Sequence, residues 1–298
     1  MTRGTTENES QQRHAEEKTV ESCNSQVKPL RVGINEVPSL VPGWDAWRGL
    51  SAHTSARIGL GRAGAATRTE VHLAFQAAHA AARDAVHIPW DIEATRRELE
   101  PVATHVVASC AGDRQTYLLR PDLGRQLAAE SRAGLLDLRR ESGQWDVAIV
   151  LTNGLSTDAV QRHGAALTHA LLAAFATTRR AVAPVVLVAN GRVALGDPTG
   201  TLLGARAVVI VVGERPGLSA SDSLGIYLTL LPEDGSTRTD ADRNCISNVH
   251  PPGGLDYPHA AAKCAWLLNE ALTRGYSGVQ LKDESPNGLV LVRSPEEA

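Results

Sequence analysis

The sequence predicts an α/β protein: a Rossmann-like, mostly parallel sheet with flanking helices, preceded by a smaller helical or α+β N-terminal domain and a disordered polar tail. Three observations predict it. Residues Ala207 to Val212 are consecutive apolar residues, β-branched after the first, and they stop at Gly213-Glu214-Arg215-Pro216-Gly217. A strand buried on both faces reads this way when it delivers a loop at its C-terminal end. From Trp145 onward strand-like and helix-like runs alternate, which implies parallel strands joined by helical crossovers. The 298 residues are 43% hydrophobic, enough to bury a core.

In chain order, residues 1–28 are mainly Thr, Glu, Gln, Ser, Arg and Lys, with too little to bury to repay the entropy of ordering. Pro29 to Ser51, with Pro38, Pro42, Trp44 and Trp47, reads as an irregular docking arm whose tryptophans need a surface to cover. Thr67 and Glu70 have capping-box spacing, which places a helix start near Arg68 with Val71, Phe75, Ala78, Ala82 and Ala85 facing inward. His105 to Ser109 reads as a short strand, Arg114 to Leu119 as its hairpin partner, and the segment after Arg125 as a helix ending near Arg139 or Arg140.

The repeating part follows. Strands are expected at Asp146 to Thr152, Val185 to Ala189, Ala207 to Val212 and Ile226 to Leu230. Ala159 to Thr177 is a helix with Ser156 or Thr157 as N-cap and Leu167, Leu171, Leu172 and Phe175 inward. Asn190 to Ala205 holds a short helix, Asp240 to Asn248 is a polar segment, and Tyr257 to Arg274 is a closing helix ended by Gly275. The expected domains are a tail at 1–28, an arm and α+β segment at 29–144, and a ligand-binding α/β domain at 145–298.

Several function classes are disfavoured. Thirty basic against 33 acidic residues give a net charge of -3, so no basic field attracts a nucleic acid backbone. Cys23, Cys110, Cys245 and Cys264 form no C-x-x-C pair, which fits a reducing compartment. The ten histidines include no H-E-x-x-H, so no metal site is expected. No apolar run reaches membrane-spanning length, so no membrane partner is expected and a cytoplasmic location is. The loop at Gly154-Leu155-Ser156-Thr157-Asp158 lacks the G-x-S-x-G elbow of an α/β hydrolase.

Three loops should emerge together at the C-terminal edge of the sheet: Asn153 to Asp158, Asn190 to Asp197, and Gly213 to Ser221. They carry neither G-x-G-x-x-G nor a P-loop, and Gly59-Leu60-Gly61-Arg62-Ala63-Gly64 lacks the strand and the Lys-Ser/Thr that a nucleotide loop needs. A large, uncharged ligand suits this edge better than a phosphate.

Five motifs in order then carry a resemblance. Leu119-Arg120-Pro121-Asp122-Leu123-Gly124-Arg125, Asn153 through Ala159, Gly204 through Leu218, Ser223 through Tyr227, and Ala241 through Asn248 resemble the light (small) chain of adenosylcobalamin-dependent ethanolamine ammonia-lyase, over about Ser55 to Glu284. The resemblance implies a subunit that caps the barrel of a large chain, in a hetero-oligomer taken as a hexamer of heterodimers. That assembly converts ethanolamine to acetaldehyde and ammonia by a radical mechanism. It also implies a cobalamin site between the two chains, within an ethanolamine microcompartment where the host makes one. The family's light-chain cobalamin contacts fall on Val193, Glu214 and Cys245, and no catalytic residue falls on this chain. The D-x-H-x-x-G motif is absent, which agrees with base-on binding, in which the cofactor keeps its own dimethylbenzimidazole on cobalt. The alternative is a stand-alone cobalamin carrier without a catalytic partner.

Overall fold

The computed structural model describes residues 49–286 except 51, 52, 55, 143, 234, 235 and 237. The tail at 1–28, and nearly all of the arm with Trp44 and Trp47, lie outside the described residues.

Helix α1, Thr69–His87, starts differently from its expected capping box. Its N-cap is Arg68 and makes no side-chain cap hydrogen bond. Thr67 instead belongs to a two-residue strand, Ala66–Thr67, paired antiparallel with Arg62–Ala63, and Glu70 reaches back to Arg68 at 3.5 Å. Pairing of the backbone on both sides of the Gly64 turn has displaced the box. Phe75, expected to face inward, is 44% exposed. Helix α2, Ile92–Leu99, follows, capped by the Asp91 carboxylate.

Strand β1, Thr104–Ala108, is where a strand was expected, but its hairpin partner is not. Arg114–Leu119 is a helix, α3, because Asp113 caps it: its carboxylate accepts from the Thr116 amide and hydroxyl at 2.9 and 2.7 Å. Strand β1 pairs instead with a strand 81 residues further on, Thr104 with Val185 through Ala108 with Ala189, all in parallel. Helix α4, Ala129–Ser142, leads into strand β2, Trp145–Thr152.

The Ser156 hydroxyl caps the next helical run by accepting from the Ala159 amide at 3.1 Å. One turn, Thr157–Ala159, passes through a π-helical turn, Val160–Gly164, into helix α5, Ala165–Thr177. Strand β3, Val185–Ala189, helix α6, Gly196–Leu203, and strand β4, Ala205–Gly213, complete the parallel part. Strand β5, Leu224–Leu230, and strand β6, Arg243–Val249, add antiparallel, and helix α7, Tyr257–Arg274, closes the fold with Gly275 in the left-handed region.

Strand β6 replaces the expected polar segment. Arg243, Ile246 and Val249 are buried while Cys245, Ser247 and Asn248 are exposed, and a bulge lies between the pairs Leu224–Val249 and Ile226–Ile246. The bulge breaks the two-residue alternation by which a strand is read.

The six-stranded sheet runs β1-β3-β2-β4-β5-β6, with the first four strands parallel. Alternation through β2 fixes the layers. Val147, Ile149 and Leu151 pack against Leu167, Leu171 and Phe175 of α5 and Leu268 of α7. Ala148 and Val150 pack against Leu135 of α4 and Leu203 of α6 on the other face. Each fully buried aliphatic or aromatic side chain contributes about 1.5–3 kcal/mol, so the paired cores hold the sheet from both sides. The connection after β2 runs to the neighbouring β3, whereas that after β3 crosses back over β2 to β4. Loops leaving adjacent strands in opposite directions leave a crevice at the C-terminal edge, the usual ligand position in such sheets.

Candidate functional site

That crevice is present. A cleft of about 450 Å³ lies between the loops after β2, β3 and β4, with Leu155, Val193 and Glu214 contributed by one loop each. The close approach of two of these loops depends on Gly213. A Cβ there would collide with the backbone oxygens of Ser156 and Asn153, and the Leu155 amide donates to the Gly213 carbonyl at 2.9 Å. The β3 loop is tied in by buried polar groups: the Asn190 amide donates to Asn153 Oδ1 at 2.7 Å and the Gly191 amide to Thr152 Oγ1 at 3.0 Å.

Glu214 follows the last residue of β4, where no ladder partner dictates its side chain. Its backbone N–H donates to the Ser223 carbonyl at 2.9 Å. The Ser223 hydroxyl returns a 2.5 Å hydrogen bond to Glu214 Oε2, and the Asn248 amide donates to the same oxygen at 3.3 Å. The carboxylate is therefore held by the ends of β5 and β6, and both hydrogen bonds fall on Oε2. Oε1 takes no hydrogen bond among the described residues and lies beside Gly225.

Val193 is half-buried and lines the cleft. Cys245 is exposed on β6, directly opposite Tyr227 on β5, and Tyr227 lines the cleft. Burial raises the Tyr227 pKa and so does its hydrogen bond with the Cys245 thiol. Partial desolvation of its sulfur pushes the Cys245 thiol up although the residue as a whole is exposed; the Tyr227 hydrogen bond opposes the shift and the Glu214 charge adds to it. The fold thus gathers Val193 and Glu214 at one cleft and sets Cys245 one side chain away. Tyr227, which the sequence reading did not place among the site residues, is the bridge. Its signal was available in the alternation of β5, where Leu224, Ile226 and Leu228 are buried and Tyr227 takes the opposite face.

A second wall is cationic. The Arg192 and Arg114 guanidiniums lie 4.4 and 4.9 Å from the centre of the Tyr117 ring, and Tyr117 and Arg192 line the cleft. Arg114 donates to the carbonyls of Val86, Gly154 and Leu155 at 2.6, 2.6 and 2.8 Å. Burial lowers its pKa from the ordinary arginine value, and the charge of Arg192 adds to the effect.

Ser156 is not a nucleophile, since its hydroxyl donates to the Ser221 carbonyl at 2.7 Å while capping the helical turn. Among the described residues no cluster of three His, Cys, Asp or Glu side chains could hold a metal ion. No helix among them is long and apolar enough to cross a membrane. One buried ion pair braces the site from behind: Arg243 of β6 forks onto Asp197 of α6 at 2.6 and 2.8 Å and donates to Thr229 at 3.0 Å.

The chain is similar to known proteins of one family. The family model of the ethanolamine ammonia-lyase light chain (EutC) matches residues 44–282. The ethanolamine ammonia-lyase small subunit of Azotobacter vinelandii is 51% identical over 245 residues, covering 80% of this chain and 88% of the relative. That of Xanthomonas campestris pv. campestris is 49% identical over 252 residues, covering 84% and 92%. That of Rhodococcus erythropolis is 48% identical over 247 residues, covering 82% and 92%. At this identity, over nearly the whole described chain, the protein belongs to the ethanolamine ammonia-lyase light-chain family and is a lyase subunit.

Proposed function

We propose that this chain pairs with a large subunit to form an adenosylcobalamin-dependent ethanolamine ammonia-lyase, which converts ethanolamine to acetaldehyde and ammonia, and that it supplies one wall of the cofactor site. The supporting observation is the Glu214 carboxylate, held through Oε2 at the C-terminal edge of β4 beside the cleft, with no hydrogen bond to Oε1 among the described residues. A corrin rim carries neutral amides whose N–H groups need acceptors, and a carboxylate is a strong acceptor for them.

The residues fit the group. Val193 offers an apolar contact and Cys245 a small neighbour beside Tyr227. The cleft of about 450 Å³ suits one edge of a cobalamin rather than the whole, since pockets for ordinary drug-sized ligands already run to about 300–1,000 Å³. A site divided between two subunits follows, with this chain capping the barrel of its partner. The cofactor is taken base-on, the sheet is read as Rossmann-like, and the assembly as a hexamer of heterodimers in the cytoplasm or in a microcompartment where the host builds one.

When bound, adenosylcobalamin supplies radical chemistry through its cobalt–carbon bond, and the protein supplies placement and exclusion of competing reactions. The residues of this chain accept hydrogen bonds at Glu214, pack at Val193, and keep water from the shared edge. The experiment is reconstitution with ammonia release as the readout. The isolated chain should show no turnover, and the chain co-expressed with the large subunit should turn over only with adenosylcobalamin. Turnover by the single chain would contradict the proposal.

A further inference from the structure

The cationic wall of the cleft has no use in the reading above, which needs only acceptors and apolar contacts. Its charge is not neutralised: Arg114 spends its donors on three neutral carbonyls, and among the described residues neither Arg114 nor Arg192 forms an ion pair. Arg192 is anchored at its backbone, where its N–H donates to the Gly124 carbonyl at 2.7 Å. Its side-chain hydrogen bond, from Nη2 to the Tyr117 carbonyl, is long at 3.5 Å, and its Nε is buried with no partner. Two guanidiniums on one aromatic ring repel each other, and the proximity of Arg192 lowers the Arg114 pKa accordingly. Like charges kept together beside a concave surface are compensated when an anion arrives. Arg215, exposed, adds a third cation at the same cleft.

We propose that Arg192, stacked on Tyr117 and backed by Arg114, is an anion subsite that takes the phosphodiester of the cobalamin nucleotide loop. The assignment rests on the cofactor reading above. A stacked guanidinium keeps its edge N–H groups free for an in-plane oxyanion, the geometry in which arginine binds phosphate best. Glu214 and Arg192 then divide one ligand between them, the carboxylate meeting amide N–H groups and the guanidinium meeting the one anionic group on the ligand's outer surface. The sequence loops showed no phosphate motif because this wall is assembled from Arg114, Tyr117 and Arg192, on a helix and a loop between which β2 and β3 intervene in the chain.

The test uses the complex with the large subunit and follows corrin absorbance during titration with adenosylcobalamin and with adenosylcobinamide, which lacks the nucleotide loop and its phosphodiester. Arg192→Met should weaken cobalamin about tenfold or more, the loss of a charge-assisted hydrogen bond, while leaving cobinamide affinity within about twofold. Glu214→Ala should weaken both ligands. Arg192→Lys, which keeps the charge without the fork, should fall between wild type and Arg192→Met and serves if the methionine variant fails to assemble. Equal effects of Arg192→Met on both corrinoids, or none on either, would overturn the subsite. Weaker subunit association with an unchanged preference for cobalamin over cobinamide would assign Arg192 to a carboxylate of the partner and also overturn it. A wild-type complex that binds neither corrinoid would reject the cofactor reading itself, and the subsite with it.

Discussion

Ser223 and Glu214 hydrogen-bond to each other twice: the Glu214 amide donates to the Ser223 carbonyl at 2.9 Å, and the Ser223 hydroxyl donates to the Glu214 carboxylate at 2.5 Å. The pair fixes both backbone and side chain where β4 leaves the sheet and β5 enters it. Ser223→Ala keeps the backbone bond and removes the hydroxyl. It should weaken cobalamin binding by the complex severalfold while shifting the melting temperature little, because a single hydrogen bond to a charged group contributes about 1.5–3 kcal/mol and Asn248 still donates to the same oxygen. Unchanged corrin affinity would show that the orientation of Glu214 does not depend on Ser223.

The Arg243 side chain is 4% exposed and forks onto Asp197. Arg243→Ala strands a largely buried carboxylate, and breaking such pairs from one side costs about 3–5 kcal/mol. Urea unfolding should show a loss of that order, and Asp197→Ala combined with Arg243→Ala should cost less than the sum of the single changes. Additive effects would mean that the pair is not coupled.

Asp222 lies 3.3 Å from His163 Nε2, and Tyr257 holds the other ring nitrogen at 2.7 Å. The hydrogen bond from His163 holds the Asp222 carboxyl below its ordinary range, against the opposing effect of burial. A depressed carboxyl pKa contributes stability above the unfolded-state value that disappears as pH falls through the folded-state value. Wild type should therefore be more stable than Asp222→Asn at neutral pH, and the gap should close as the pH drops below the ordinary carboxylate range. Melting temperatures of both proteins across that range check this, and a constant gap would contradict it.

The parallel strands were legible because burial on both faces leaves unbroken apolar runs such as Val147 to Leu151 and Val185 to Val188. Arg114–Leu119 was misread because six residues show no clear period, although Asp113 three residues before Thr116 carried the cap. Strand β6 was hidden by its bulge and by Arg243, a charge buried because Asp197 on a distant helix neutralises it. At the site, the loops that carry Glu214 and Val193 could be placed because each leaves the C-terminal end of a parallel strand, whereas Val193 itself was singled out by the family resemblance. Tyr227 and the Arg114–Tyr117–Arg192 stack could not, since they meet only through tertiary packing.

Titrating adenosylcobalamin into the reconstituted complex decides whether Glu214 accepts hydrogen bonds from the cofactor. Glu214→Ala should fold and assemble yet bind the corrin roughly 10- to 150-fold more weakly, the equivalent of about 1.5–3 kcal/mol. Glu214→Gln, which keeps an acceptor oxygen without the charge, should lose less. If Glu214 is only a solvated turn residue, both variants will bind cobalamin with wild-type affinity, and that result would remove Glu214 from the site.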